Sequence, residues 1–101
     1  MTVYFYFFVV KDGTPQNAEL EELAFKIAAR WRTLGRRLKF NESLTQEIDK
    51  TIEETTEKAY QMLLHWKRRE GPAATYQVLY DALMHPLVDR RDMAEKLCFN
   101  Q

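Results

Sequence analysis

Residues 17–39 read Asn17-Ala18-Glu19-Leu20-Glu21-Glu22-Leu23-Ala24-Phe25-Lys26-Ile27-Ala28-Ala29-Arg30-Trp31-Arg32-Thr33-Leu34-Gly35-Arg36-Arg37-Leu38-Lys39. Leu20, Leu23, Ala24, Ile27 and Ala28 recur at the i, i+3, i+4, i+7, i+8 spacing of a helix with one apolar face. Trp31, Leu34 and Leu38 carry that stripe on to about Lys39. Asn17 stands where an N-cap is expected, and Glu19, Glu21 and Glu22 fall in the first turns, where the helix dipole favours acids. The period of 3.6 sets the fold class, and it continues to the end of the chain.

After a break around Asn41–Ser43, Ser43 with Gln46 has the spacing of a capping box for a helix that carries Leu44, Ile48 and Ile52. Ala59, Met62, Leu63 and Trp66 mark the next apolar face, closed by Lys67, Arg68, Arg69 and Gly71. Val78, Leu79, Ala82 and Leu83 follow Pro72 as a further helix, which His85-Pro86 stops. Asp89 is placed to cap a last helix bearing Met93, Ala94 and Leu97. The expected fold is therefore all-α, a bundle of about six short helices.

The 101 residues suit one domain, since domains commonly hold roughly 100–150 residues. Fifteen basic side chains balance fifteen acidic ones, which argues against a dedicated polyanion binder. A single cysteine, Cys98, excludes an internal disulfide and fits a reducing compartment. Val3 to Val10 form the one segment outside the helical pattern, a run of β-branched and aromatic residues ended by the turn chemistry of Lys11 to Pro15. It is far short of the roughly 20 apolar residues that span a bilayer, and it lacks the features of a signal peptide. It reads as a lone strand with no pairing partner elsewhere in the chain. Residues 1–16 thus form an extension and turn, 17–98 the helical domain, and 99–101 a tail.

Catalytic chemistry has no foothold in this pattern. Gly13, Gly35 and Gly71 are isolated, so no glycine-rich phosphate loop exists. His65 and His85 are not at ligand spacing and have no nearby cysteine, so neither a metal site nor a cofactor is expected. Cys98 has no local base and reads as a small packing residue. Glu53 and Glu54 lie among exposed charges that would not raise a carboxyl for acid catalysis.

Charge is segregated instead. Lys26, Arg30, Arg32, Arg36, Arg37 and Lys39 include no acid among them, and Glu42, Glu47, Asp49, Glu53, Glu54 and Glu57 are interrupted by Lys50 alone. On a continuous helix, Lys26, Arg30 and Arg37 would share one row and Arg32, Arg36 and Lys39 its neighbour. Charged helix faces are usually just solvated and partly self-neutralising. A neutral total built from two opposed blocks also allows one copy to attract another, through a contact able to build rings or stacks. The alternative is a small helical nucleic-acid-binding module using the basic segment 26–39, whose affinity would fall steeply with salt.

Trp31-Arg32-Thr33-Leu34-Gly35-Arg36-Arg37-Leu38 resembles the Trp-x-x-Leu-x-x-x-Leu signature of death domains. Met62-Leu63-Leu64-His65-Trp66, then Gly71, Ala74-Thr75, Leu79 and Ala82-Leu83, are similar to the family's second half, with the spacing of RAIDD-like and ankyrin-like members. Asp92 to Leu97 resembles the sixth helix. The resemblance implies a six-helix antiparallel bundle with Greek-key topology and no catalytic activity. It implies homotypic binding, to itself or to other death-domain proteins, in cytoplasmic receptor or adaptor complexes of apoptotic or NF-κB-type signalling, without nucleic acid or membrane insertion. Trp31, Leu34, Leu38, Leu63, Trp66, Leu79 and Leu83 are then core residues. Arg32, Arg36, Arg37 and Lys39 form one partner-binding face, and Glu47, Asp49, Glu53, Glu54 and Glu57 the opposing one. Asp89, Arg90, Arg91 and Asp92 contribute at the last loop. Ala28-Ala29-Arg30 would let the first two helices run together, and no glycine or proline stands between Glu42 and Glu70, so one long helix or two can form there.

Overall fold

The spacing of Leu20, Leu23, Ala24 and Ile27 becomes the buried stripe of α1 (Asn17–Ile27). In the computed structural model, which describes residues 9–100, the chain then passes through a 3-10 turn (Ala28–Arg30) into α2 (Trp31–Arg37). There follow α3 (Glu42–Thr51), α4 (Thr55–Glu70), a 3-10 turn (Gly71–Ala73), α5 (Tyr76–Met84) and α6 (Arg91–Cys98). α1 lies along α4 and α5 along α6, while α2 and α3 each close on α4 and α2 also meets α5. One hydrophobic cluster runs through all of them. Leu34, Leu63, Leu79 and Leu83 are fully buried in it, with Leu38, Trp31 and Trp66 close behind. Val78 departs from the expected apolar face and is exposed, because the α5 positions that turn inward are Tyr76, Leu79, Ala82 and Leu83.

Both open helix junctions are broken. α1 ends where Ile27 leaves helical geometry at φ −108° and ψ 14°, and Arg30 repeats the step at φ −117° and ψ 22°. The 3-10 turn between them swings Trp31 inward. α3 ends without glycine or proline: Thr51 Oγ donates to the Glu47 carbonyl at 2.7 Å, and Ile52 turns extended at φ −119° and ψ 130°. Both residues are β-branched, and an extended Ile52 lays its side chain against the core.

The caps stand one or two residues from their expected positions. Gln16 is the N-cap of α1, its amide donating to Glu19 Oε1 at 2.8 Å, while Asn17 lies inside the helix and accepts from Lys67 Nζ at 3.0 Å. Asn41 rather than Ser43 caps α3, its Oδ1 accepting from the Leu44 amide at 2.8 Å. Asp89 does not cap α6. It sits in the left-handed region at φ 53°, and Arg90 occupies the cap position.

The lone-strand reading is corrected where it can be seen. Val10 pairs antiparallel with Phe99; the Lys11 amide donates to the Cys98 carbonyl and the Asn100 amide to the Val9 carbonyl, each at 2.7 Å. Phe99 also stacks on Tyr80 at 5.3 Å between ring centroids. The pairing partner is thus the segment just after α6, which carried no strand signal because α6 ends one residue earlier. Residues 3–8 of the strand reading lie outside the described residues.

Candidate functional site

The two rows expected on a continuous helix are not kept, because the 3-10 turn separates Lys26 from the α2 residues, and the fold uses the members of the basic block differently. Arg30 and Arg37 reach the turn that joins α5 to α6, whereas Lys26 Nζ lies 5.9 Å from the centre of the Phe25 ring. Arg30 Nη1 donates to the Leu87 carbonyl at 2.9 Å, and Arg37 Nη1 lies 3.0 Å from His85 Nε2. From the other side, Arg90 Nη1 donates to the Lys26 carbonyl at 2.6 Å, satisfying the C-terminal end of α1. Arg32 and Arg36 meet α3 instead. Arg32 pairs with Asp49 at 2.6 Å and Arg36 with Glu42 at 3.4 Å. Residues assigned to opposing faces therefore touch within one chain. Lys58 also binds Asp49 at 2.6 Å and, against a smaller opposing push from burial, holds its carboxyl below the ordinary value of 3.8 with help from Arg32. Solvent screens these surface pairs, so each contributes little to stability.

Lys39 is held by its backbone. It stands at φ 70° just past α2, and Arg69 Nη1 and Nη2 donate to the Lys39 and Leu38 carbonyls at 3.2 and 2.5 Å. The guanidinium also lies 5.0 Å from the centre of the Phe40 ring. Arg69 thus satisfies carbonyls that the end of α2 leaves open, a structural use of the third basic knot. The Lys39 side chain remains exposed.

A cleft of about 320 Å³ opens between α2 and α5, lined by Arg36, Arg37, Lys39, Val78, Asp81, Ala82 and His85. Arg37 Nε is buried there with no hydrogen-bond partner among the described residues. His85 faces two donors, Arg37 Nη1 on Nε2 and the Leu87 amide on Nδ1 at 3.1 Å. A neutral imidazole carries one ring proton and accepts at one nitrogen only, so one of these contacts opposes two N–H groups. His85, Val78 and Asp81 were invisible as site residues in the sequence. Val78 and Asp81 lie in α5 and His85 just past its end, and only the packing of α5 on α2 brings them to Arg37.

The acidic residues divide as well. Asp49 is consumed in the pairs just described, and Glu57 accepts from Gln61 at 2.8 Å. Glu47, Glu53 and Glu54 are exposed with no ion pair among the described residues. Glu53 and Glu54 form, with Glu57, a corner at the start of α4. At the last loop, Arg90 grips Asp92 with a fork of 3.0 and 2.9 Å, which holds the Asp92 carboxyl down to about 2, and Arg91 pairs with Glu95 at 3.5 Å. Asp89 is exposed.

A second polar cluster lies under the Val9–Lys11 segment. Glu19 receives the Tyr76 hydroxyl at 2.5 Å and Lys11 Nζ at 3.2 Å, and Lys11 sits 4.6 Å from the centre of the Tyr76 ring. Burial pushes the Cys98 thiol beside it up to about 12, which suits packing and not nucleophilic attack. Among the described residues no cluster of His, Cys, Asp or Glu could hold a metal ion, and no helix is long and apolar enough to cross a membrane. Over residues 17–100 the chain matches the family model described as Death domain.

Proposed function

The chain belongs to the death-domain family, whose members are non-enzymatic homotypic interaction modules, and on that premise we propose that it assembles receptor or adaptor complexes in the cytoplasm for apoptotic or NF-κB-type signalling. Its helices follow the family's six-helix Greek-key arrangement in this reading. The observation that carries the proposal is the exposed charge left over after internal pairing. Just past α2 the Lys39 side chain is exposed, and at the start of α4 Glu53 and Glu54 are exposed with no ion pair among the described residues. Opposed patches of this kind steer and orient protein partners. Arg30, Arg32, Arg36 and Arg37 are engaged with different parts of the bundle, which gives less support to a continuous phosphate-tracking stripe.

Purified chain immobilised on a support and exposed to a set of isolated death domains tests the proposal directly. Capture of at least one of them, or self-association in sedimentation equilibrium, is expected. Absence of both, with duplex DNA retained instead, would overturn it.

A further inference from the structure

Thr51 is the last residue of α3, and among the serines and threonines of the sequence it alone has a carboxylate three residues on: Thr51-Ile52-Glu53-Glu54. Its side chain is exposed, and its hydroxyl donates to the Glu47 carbonyl at 2.7 Å. From Ile52 the backbone turns extended, at φ −119° and ψ 130°, and Glu54 is extended at φ −79° and ψ 129°. Three extended residues span about 10 Å, whereas three helical ones advance only about 4.5 Å. An enzyme that selects a hydroxyl by a neighbouring charge needs that reach, so that the phosphoryl donor meets the hydroxyl while a basic pocket holds the carboxylate. By contrast, exposed Thr55 has Lys58 three residues on, and Thr45 is buried.

Reaching the Thr51 hydroxyl requires only the last turn of α3 to open, the part of a helix that frays most readily. Ile52 is only partly buried against the core, so the movement stays local.

We propose that Thr51 is a phosphorylation site for a Ser/Thr kinase that reads acids after its acceptor, and that the phosphate unlocks the end of α3. In the transfer, Thr51 Oγ gives its proton to the kinase's base and bonds to the γ-phosphorus of ATP. The bond from that phosphorus to the bridging oxygen breaks, and ADP leaves. The esterified oxygen has no proton to donate, so the Glu47 carbonyl loses its side-chain partner. The phosphate also adds a charge of about −1.5 to −2 at a helix C-terminus, where the dipole disfavours anions. Glu47 lies one turn back and Glu53 and Glu54 just ahead, while Lys50, the only base between Glu47 and Glu57, offsets part of their repulsion. The same end of α3 carries Asp49, which ties the helix to Arg32 of α2 and Lys58 of α4. Loosening it weakens both ties. The site does not depend on the assembly reading above.

Incubating the purified chain with ATP, Mg²⁺ and a purified acid-directed Ser/Thr kinase tests this. Mass spectrometry of proteolytic fragments should place phosphate on Thr51 and none on Thr55 or Thr56. Thr51→Ala should abolish incorporation, and Glu53→Gln with Glu54→Gln should slow it at least about tenfold. The double variant keeps the hydroxyl and its bond to Glu47, so it carries the comparison if Thr51→Ala perturbs folding. Thermal unfolding of the phosphorylated chain, followed by circular dichroism, should fall by about 4–8 °C, the scale of one lost hydrogen bond in a domain of this length. No incorporation, phosphate on Thr55 or Thr56 instead, or an unchanged rate in the double variant overturns the site. A phosphorylated chain that unfolds at the unmodified temperature overturns the unlocking of α3.

Discussion

Tyr76 and Glu19 show how a single polar contact can hold two distant segments. The Tyr76 hydroxyl, on α5, donates to Glu19, on α1, at 2.5 Å. Burial pushes the Glu19 carboxyl up, but Tyr76, the Gln16 amide and Lys11 outweigh it and leave the group below its ordinary value of 4.5. Tyr76 itself is pushed up to about 12, by burial first and then by Glu19. A carboxyl lowered in the folded state stabilises above its unfolded value, and loses that contribution as pH falls through the folded one. A phenol raised in the folded state stabilises below 10 and loses the contribution as pH rises toward 12. Tyr76→Phe should therefore cost about 1–2 kcal/mol near neutrality, the usual worth of a hydrogen bond to a charged group under partial exposure. Urea unfolding across pH checks this: the gap between the two proteins should narrow both below pH 4.5 and above pH 10. A gap independent of pH would assign the cost to packing alone.

At the scale of elements, two glycines make opposite predictions for one substitution. Gly71 ends α4 at φ 57° and ψ −126°, a backbone region that L side chains avoid, and a Cβ there would meet nothing within 4 Å. Gly71→Ala should cost about 1–3 kcal/mol from backbone strain alone. Gly35 lies inside α2, where an added Cβ would meet Met62 Cγ at 3.6 Å and Phe40 Cβ at 3.8 Å, ordinary contact distances. Gly35→Ala should stabilise by about 0.5–1 kcal/mol through the lower entropy of the unfolded chain. Thermal unfolding of the two variants should move in opposite directions. The same scale explains what the residues revealed and what they did not. Apolar spacing located α1, α4, α5 and α6, because burial of one face dominates where a stripe is unbroken. The end of α3 was illegible because Thr51 and Ile52 break it by β-branching and a side-chain bond to Glu47, with no glycine or proline as marker. Caps were misplaced by a residue or two because Gln16, Asn17, Asn41 and Ser43 are all polar, and only the tertiary partner (Lys67 for Asn17) decides which is free to cap. The α2–α5 cleft could not be read at all, since Arg37 and His85 are 48 residues apart and their meeting belongs to helix packing.

For the molecule as a whole, the balance of fifteen bases and fifteen acids hides two kinds of charge. One kind is internal stitching: Arg32 to Asp49, Arg36 to Glu42, Lys96 to Glu22, Arg90 to Asp92. These pairs are mostly exposed and contribute little each, so the fold rests on its hydrophobic cluster and should tolerate screening. The other kind is charge left without an ion pair among the described residues, at Lys39 and at Glu53 and Glu54, and assembly through it should not tolerate screening. Raising salt from about 0.1 M to about 1 M shortens the screening length from about 10 Å to about 3 Å. Self-association measured by sedimentation should weaken over that range while the unfolding temperature changes only slightly. The surface also offers a competing route, since Phe25 is 68% exposed on α1 and Leu87 59% exposed in the turn before α6. Contacts made through such apolar side chains keep their strength as salt screens charge. An assembly that persists undiminished at high salt would therefore place the interface at exposed apolar side chains such as Phe25 and Leu87, and an assembly that dissolves would place it at the charges.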